Sequence, residues 1–378
     1  MHYPGLLVLC LSLVLVSPVL QARVLESDLY PLQVEQLTDG LENPWSLVFL
    51  PEGEVLITER PGRLRRLIDG QLMPQPVSGL PPVHPTGQGG LLDLALHPDF
   101  EQNRWLYFSY VDRNREGYTT RVARGVYRSG RLSAVEVIFT AEPRSSGGRH
   151  FGSRLVFDHE GYLYITIGDR GEMQRAQDPA DHAGSVIRLH ADGRIPDTNP
   201  GVLKSGWRPE IYAIGTRNAQ GMALHPETGE VWLQEHGPRG GDEVNRIQAG
   251  LNYGWPEVTH GRNYTGTSIT PHQHLPGMES PLWHWTPSIA PSGMMFYTGE
   301  LFPAWQGQLL VGALAGRLIS RLEVSGSGDD WQVAEQERFF QVMNVRVRDV
   351  RQAPDGSIWV LTDDRNGQLL RLSPADRL

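Results

Sequence analysis

The sequence predicts an all-β chain folded as a six-bladed β-propeller of four-stranded antiparallel blades. Two observations carry this expectation. One unit recurs six times: an apolar run, a short turn of Pro, Asp, Glu or Gly, and a second apolar run rich in Trp, Tyr or branched residues. Helical periodicity is nearly absent, while Gly (42) and Pro (28) are abundant, as loop-rich β proteins require. Radial repetition also lets 378 residues exceed the ~250–300 residues at which one core usually stops growing. Paired β-sandwiches would show similar short strands, but not so regular a turn-centred unit.

The copies run in order along the chain. The first spans Ser46 to Thr58, turning at Pro51-Glu-Gly53. The second joins Leu92–Pro98 to Arg104–Ser109, and the third is Arg154 to Thr166 around Glu160-Gly161. The fourth is Gly221 to Leu233, the degenerate fifth joins Met294–Tyr297 to Gln308–Val311, and the sixth is Val350 to Leu361. Glycine supplies the positive φ that such tight turns need. A further strand is expected at Arg63–Ile68, Val186–His190, Arg317–Leu322 and Gln368–Leu372. The long segments between copies should emerge on one face and build a site around the central channel.

Residues 1–22 read separately. Leu6 to Leu20 is almost uninterrupted apolar and ends near Ala22, which suits a cleaved secretory signal peptide and is short for a membrane span. The only cysteine, Cys10, lies inside it. The mature propeller, 23–378, is therefore expected to be exported, periplasmic, free of disulfides and without a membrane span. A net charge of −9 speaks against nucleic acid, which needs a basic face.

Several glycine-rich segments carry polar groups at the mouths of the repeats. His150 sits in Gly147-Gly-Arg-His-Phe-Gly-Ser-Arg154, and a neutral imidazole there could take a proton from a substrate hydroxyl. Asp169 ends the paired run of the same repeat and could hold the other ring nitrogen. Arg217, Asn218, Arg346 and Arg348 would suit a ligand with several carboxylates, with Arg346 and Arg348 on one face of a strand. Glu235-His-Gly-Pro-Arg-Gly-Gly-Asp-Glu243 exposes carbonyls and carboxylates, oxygen donors that suit Ca²⁺. Gln88 is the polar group of another glycine-lined loop. His272, His274 and His284 lack the ligand quartet of a zinc site and read as loop or wall packing.

Six stretches, in order, resemble the soluble PQQ-dependent aldose sugar dehydrogenases of the glucose/sorbosone dehydrogenase family. They are Gly87–Asp93, His150–Phe157, Arg217–Met222, Glu235–Glu243, Asn252–Pro256 and Arg346–Val350, within a likeness covering residues 30–373. The resemblance implies pyrroloquinoline quinone (PQQ) over the channel, Ca²⁺ beside it, and oxidation of aldoses at C1 to lactones. It implies His150 as general base, Asp169 as its orienter and Arg217 by the reactive carbonyl. Gln88, Gln174, Asn218, Tyr264, Arg346 and Arg348 would contact the cofactor. The carbonyls of Gly237 and Pro238 would hold the calcium, with Glu243 and the backbone of Tyr253 at a second ion. An external quinone or cytochrome would take the electrons, and the protein would be a monomer or homodimer.

The chain departs from the pattern at Arg149, where relatives carry Asp or Asn, and at Ala315, where they place a lysine. The stretch Thr286–Ser292 matches only roughly. Two other classes remain open on the residues alone. A calcium-dependent propeller hydrolase, lactonase-like, would need Asn, Asp and Glu side chains converging on a central ion. A non-catalytic binding propeller would need no His150.

Overall fold

The computed structural model describes residues 23–375. Their strands form six antiparallel sheets, five of four strands and one of five. Each sheet begins with the first apolar run of one repeat. Those first strands are Pro44–Phe49, Leu91–Leu96, Leu155–Phe157, Ala219–Leu224, Pro291–Phe296 and Val347–Gln352, in blades 1 to 6. They pack side by side in a closed circle around the axis. The second strands, lying outside them, are Val55–Glu59, Trp105–Asn114, Tyr162–Ile167, Val231–Glu235, Leu309–Ala313 and Ile358–Thr362. The fold is a six-bladed β-propeller.

The ring closes between the two ends of the chain. Pro31–Leu41 pairs antiparallel with Gly367–Pro374, completing blade 6. Leu32 and Val34 bury against Leu370, Leu372 and the Phe302–Trp305 corner of blade 5. A fifth strand, Arg23–Glu26, adds to the outer edge of this blade, one strand beyond the four expected. Residues 1–22, with the expected signal peptide and Cys10, lie outside the described residues. Among the described residues no helix is long and apolar enough to cross a membrane.

A repeated hydroxyl stitches neighbouring blades together. The first strands are bulged near their starts in blades 1, 2, 4, 5 and 6, and a bulge breaks the ladder and frees backbone groups that must find partners. Thr58 Oγ1 accepts from the Ser46 amide at 3.0 Å and donates to the Leu92 carbonyl of the next blade at 2.6 Å. Ser109 does the same between Asp93 and Ser153, and Thr166 between Arg154 and Ala219. In blade 4 the Gln234 amide donates to the Ser292 carbonyl of blade 5. A hydroxyl at one repeat position thus ties blades 1 to 4 in sequence, and a Gln amide at the same position ties blade 4 to blade 5.

The axis itself is closed by charge. Asp93, Arg154, Asp349 and Arg351 come from blades 2, 3 and 6 and pair at 2.8–3.3 Å. Asp93 also accepts from Ser46 Oγ at 2.6 Å and the Leu155 amide at 2.7 Å. Arg154 additionally lies over Trp45, 4.3 Å from the ring centroid. Two carboxylates against two guanidiniums leave this plug neutral, which keeps buried charge affordable.

Candidate active site

The start of a first strand and the end of a second strand lie on the same face, because the two are antiparallel. Most groups that gather above the channel come from one of these two positions. Gln88, His150–Gly152, Arg217–Asn218, Ala290 and Arg346 precede first strands, while Arg60, Asp169, His236 and Asp363 follow second strands. Most of them, with Trp45 and Arg348, line a cavity of about 330 Å³; His150, Asp169 and Arg217 are not part of its wall but adjoin it through Phe151, Gln88 and Asn218.

His150 stands between Gln88 and Phe151 of that wall. Its amide donates to Gln88 Oε1 at 2.8 Å, its φ is +53°, and a Cβ on Gly168 would collide with its carbonyl. The side chain is 11% exposed, and Nδ1 is 2.6 Å from Asp169 Oδ1. Asp169 also accepts from the Gly171 amide at 2.7 Å and from Trp255 Nε1 at 2.9 Å. With three donors on the carboxylate, Nδ1 carries the proton and Nε2 is the basic nitrogen.

The charges support that tautomer. Burial lowers the pKa of His150, and neighbouring Arg217 and Arg149 lower it further, against the opposing pull of Asp169. The ring is therefore neutral near pH 7. Burial opposes the charge on Asp169, but the His150 hydrogen bond, the charge of Arg217 and the Gly171 amide hold its carboxyl below the ordinary range. The pair is thus a carboxylate holding a neutral base, the arrangement general-base chemistry needs.

Arg217 and Asn218 are set by their backbone. Both amides donate to the buried carboxylate of Glu235. The Arg217 guanidinium donates to the His236 carbonyl at 2.9 Å and lies 5.3 Å from the Trp255 ring centroid. Asn218 Oδ1 accepts from the Gly152 amide at 3.1 Å. Gln220 bridges the Gly152 carbonyl and Arg348 Nη1, each at 3.2 Å. Burial drives His236 down to about 3, so its ring is neutral, with Nε2 2.5 Å from the Pro291 carbonyl.

Arg346 and Arg348 do converge, although Arg346 lies just ahead of the strand that begins at Val347 rather than on it. Both reach Asp363, at 3.0 and 3.3 Å. Asp363 is half-buried and burial opposes its charge, yet Arg348, Arg346 and Arg60 hold its carboxyl down at about 2. The Nε atoms of Arg60 and Arg348 are buried without a partner among the described residues.

The acidic loop is built differently from a side-chain cage. Gly237 donates to Asp242 Oδ1 at 2.7 Å, and a Cβ on Gly237 would collide with the Gly240 and Gly241 carbonyls, so the backbone turns tightly here. Glu235 and Glu243 face each other across two strands. Burial raises Glu235 to about 7 and Asp242 to about 6, and lifts Glu243 well above the carboxylate range with Glu235 adding to it. Tyr253 is buried beside blade 3, its amide bonded to the Ile214 carbonyl at 2.9 Å. No cluster of three His, Cys, Asp or Glu side chains poised for a metal occurs among the described residues.

Two expected cofactor contacts lie elsewhere. Gln174 is exposed in the 3₁₀ turn Met173–Gln177, and Tyr264 is 70% exposed on the loop beyond Trp255. Neither lines the cavity wall. Ala315 is tied by its amide to the Ile289 carbonyl, and Arg149 is exposed. The sequence reading overlooked Arg60, His236, Asp363 and Trp255. The first three each stand immediately after a second strand, so the repeat register could have found them. Trp255 could not be found that way, because it lies in an insertion.

The family model for glucose/sorbosone dehydrogenase matches residues 41–371. The chain belongs to the glucose/sorbosone dehydrogenase family. It is thereby an oxidoreductase of the aldose sugar dehydrogenase type. It is 44% identical over 347 residues to aldose sugar dehydrogenase YliI of Escherichia coli K12, covering 90% of this chain and 92% of that protein. An uncharacterised Synechocystis protein, slr1608, is 42% identical, over 94% of this chain and 90% of its own length. Among solved structures, the apo aldose sugar dehydrogenase of E. coli superposes with a TM-score of 0.88, at 42% identity, covering 91% of this chain and all of that one. A PQQ-bound aldose sugar dehydrogenase of Streptomyces coelicolor gives 0.72 at 26% identity, covering 90% and 98%. The family member described here shares the propeller with both.

Proposed function

We propose that this chain oxidises aldose sugars at C1 to lactones, using PQQ and Ca²⁺, with His150 as general base. The observation that carries the reading is the neutral His150, held through Nδ1 by Asp169 and joined through Phe151 and Gln88 to the wall of a cavity that is rich in guanidinium groups. The fit can be tested on the residues present. Three arginines against one carboxylate leave a surplus of positive charge, and two buried guanidinium Nε atoms lack partners. That donor set matches a ligand bearing several carboxylates.

When bound, PQQ would supply the two-electron acceptor and Ca²⁺ a Lewis acid beside it. The protein's own part is positioning and proton transfer. His150 Nε2 takes the proton of the anomeric hydroxyl while Asp169 stabilises the imidazolium that forms. Arg217, fixed by Glu235 and the His236 carbonyl, contributes a preorganised positive charge for negative charge that develops in the reaction. Arg346 and Arg348 would hold cofactor carboxylates, with Gln88 and Asn218 as neutral contacts. The carbonyls of Gly237 and Pro238 would hold Ca²⁺, and Glu243 with the Tyr253 carbonyl a second ion.

The hydrolase reading fares worse. It needs carboxylates free to ligate an ion on the axis, and those there, Asp93 and Asp349, are clamped by Arg154 and Arg351. We further propose that residues 1–22 direct export to the periplasm, where a separate carrier takes the electrons. The test is titration of the leader-free protein with PQQ and Ca²⁺, following sugar-dependent dye reduction. Saturable activity that disappears in His150→Ala supports the reading. Dye reduction independent of sugar or of PQQ would sink it.

A further inference from the structure

Arg60 sits where the repeat places site residues, directly after the second strand of blade 1. It lines the same cavity as Arg346 and Arg348. Among the described residues it pairs with no carboxylate, and its Nε is buried without a partner. Its one side-chain hydrogen bond runs from Nη1 to the Gly87 carbonyl, at 3.0 Å. An unpaired guanidinium held inside a cavity is costly unless something completes it.

The backbone shows that Arg60 is held in place. Its amide donates to the Asn43 carbonyl and its carbonyl accepts from the Leu91 amide, both at 3.1 Å. Gly90 lies so close that a Cβ there would collide with the Arg60 carbonyl. The Gly87 carbonyl it grips belongs to the loop whose Gln88 side chain receives the His150 amide. Arg60 is therefore joined to the general base through one short loop.

Charge gives the ligand class. Asp363 is the only carboxylate in the cavity wall, and Arg346 and Arg348 already share it. The axial plug balances itself. Three guanidiniums less one carboxylate leave two positive charges unmatched, and Arg60 forms no ion pair with Asp363 among the described residues. We propose that Arg60 is a third anchoring cation of this site, binding a carboxylate of the anionic cofactor and coupling its arrival to the Gly87–Gln88 loop. This rests on the PQQ-dependent reading given above.

The experiment measures binding rather than turnover. PQQ is titrated into the protein and followed by quenching of tryptophan fluorescence, Trp45 being in the cavity wall. Arg60→Gln keeps a donor for the Gly87 carbonyl and removes the charge. It should raise the Kd for PQQ about ten- to a hundredfold, the size of one charge-assisted hydrogen bond. It should also flatten the salt dependence of binding and leave the unfolding midpoint of the cofactor-free protein unchanged. Arg60→Lys should recover part of the affinity. The trimethyl ester of PQQ, which lacks the negative charges, should bind wild type and Arg60→Gln alike. Equal PQQ affinity in wild type and Arg60→Gln would overturn the assignment while leaving the dehydrogenase intact. An equal loss for the ester would also overturn it, marking Arg60 as a brace for the loop. If wild type itself bound no PQQ, the dehydrogenase reading would fall, and this inference with it.

Discussion

Asp169→Asn is the sharpest test of how the base works. Asp169 receives three donors and no acceptor: His150 Nδ1 at 2.6 Å and the Gly171 amide at 2.7 Å on Oδ1, and Trp255 Nε1 at 2.9 Å on Oδ2. Asparagine brings one oxygen and one amino group. With the oxygen toward His150 and Gly171, its amino group faces the indole N–H and one hydrogen bond is lost. With the amide flipped, two are lost. The first arrangement wins, at a cost of about 1.5–3 kcal/mol in stability for a bond to a charged group. The larger effect is on His150. Removing the carboxylate deletes what raises its pKa, while burial and Arg217 continue to lower it. A neighbouring charge shifts a pKa by about 1–3 units, so the imidazolium formed during proton abstraction loses about 1.4–4 kcal/mol. The expected result is a fall of about 10- to 1,000-fold in kcat/KM. The acid limb of kcat/KM against pH, which reports the base in the free enzyme, should move to lower pH. Aldose-dependent dye reduction from pH 4 to 8, with denaturant unfolding in parallel, reads both. Retention of a third or more of wild-type kcat/KM with an unmoved acid limb would refute the assignment of Asp169.

Three further outcomes are expected. Trp255→Phe keeps the ring and removes the Asp169 hydrogen bond, leaving more negative charge for His150, so the acid limb should move to higher pH; an unchanged profile would show that the indole is packing alone. Asp93→Asn breaks the axial ion plug and should cost about 3–5 kcal/mol in denaturant unfolding, the range for stranding a buried partner charge; a loss below about 1 kcal/mol would mean that the plug is screened. Gly168→Ala pushes a methyl group into the His150 carbonyl and should yield folded protein with kcat reduced about a hundredfold, the penalty of a misplacement near 1 Å. Wild-type turnover in that variant would show that the loop can shift without consequence.

The repeat was legible because its cause is local. Alternating apolar residues need one buried face, turn glycines need positive φ, and both signals survive in short windows of sequence. The inter-blade hydroxyls Thr58, Ser109 and Thr166 are also a sequence-level repeat, although their partners are not. The site was only half legible. His150 and Arg217 announce themselves by glycine-rich surroundings, and the family likeness adds their order. Gln174 and Tyr264 were expected at the cavity on the same likeness and stand apart from its wall.

What the sequence determined alone is the number of blades, the rim on which polar residues gather, and the family, since each depends on pattern within one repeat or on motif order. What only the tertiary structure decided is which charges meet. Asp93 with Arg154, Asp363 with Arg346 and Arg348, and Asp169 with Trp255 join residues 61, 17, 15 and 86 positions apart. The unmatched state of Arg60 follows from the same closure of the ring. Coulomb and hydrogen-bond energies depend on distance in space and on burial, and neither is written in the order of residues along the chain.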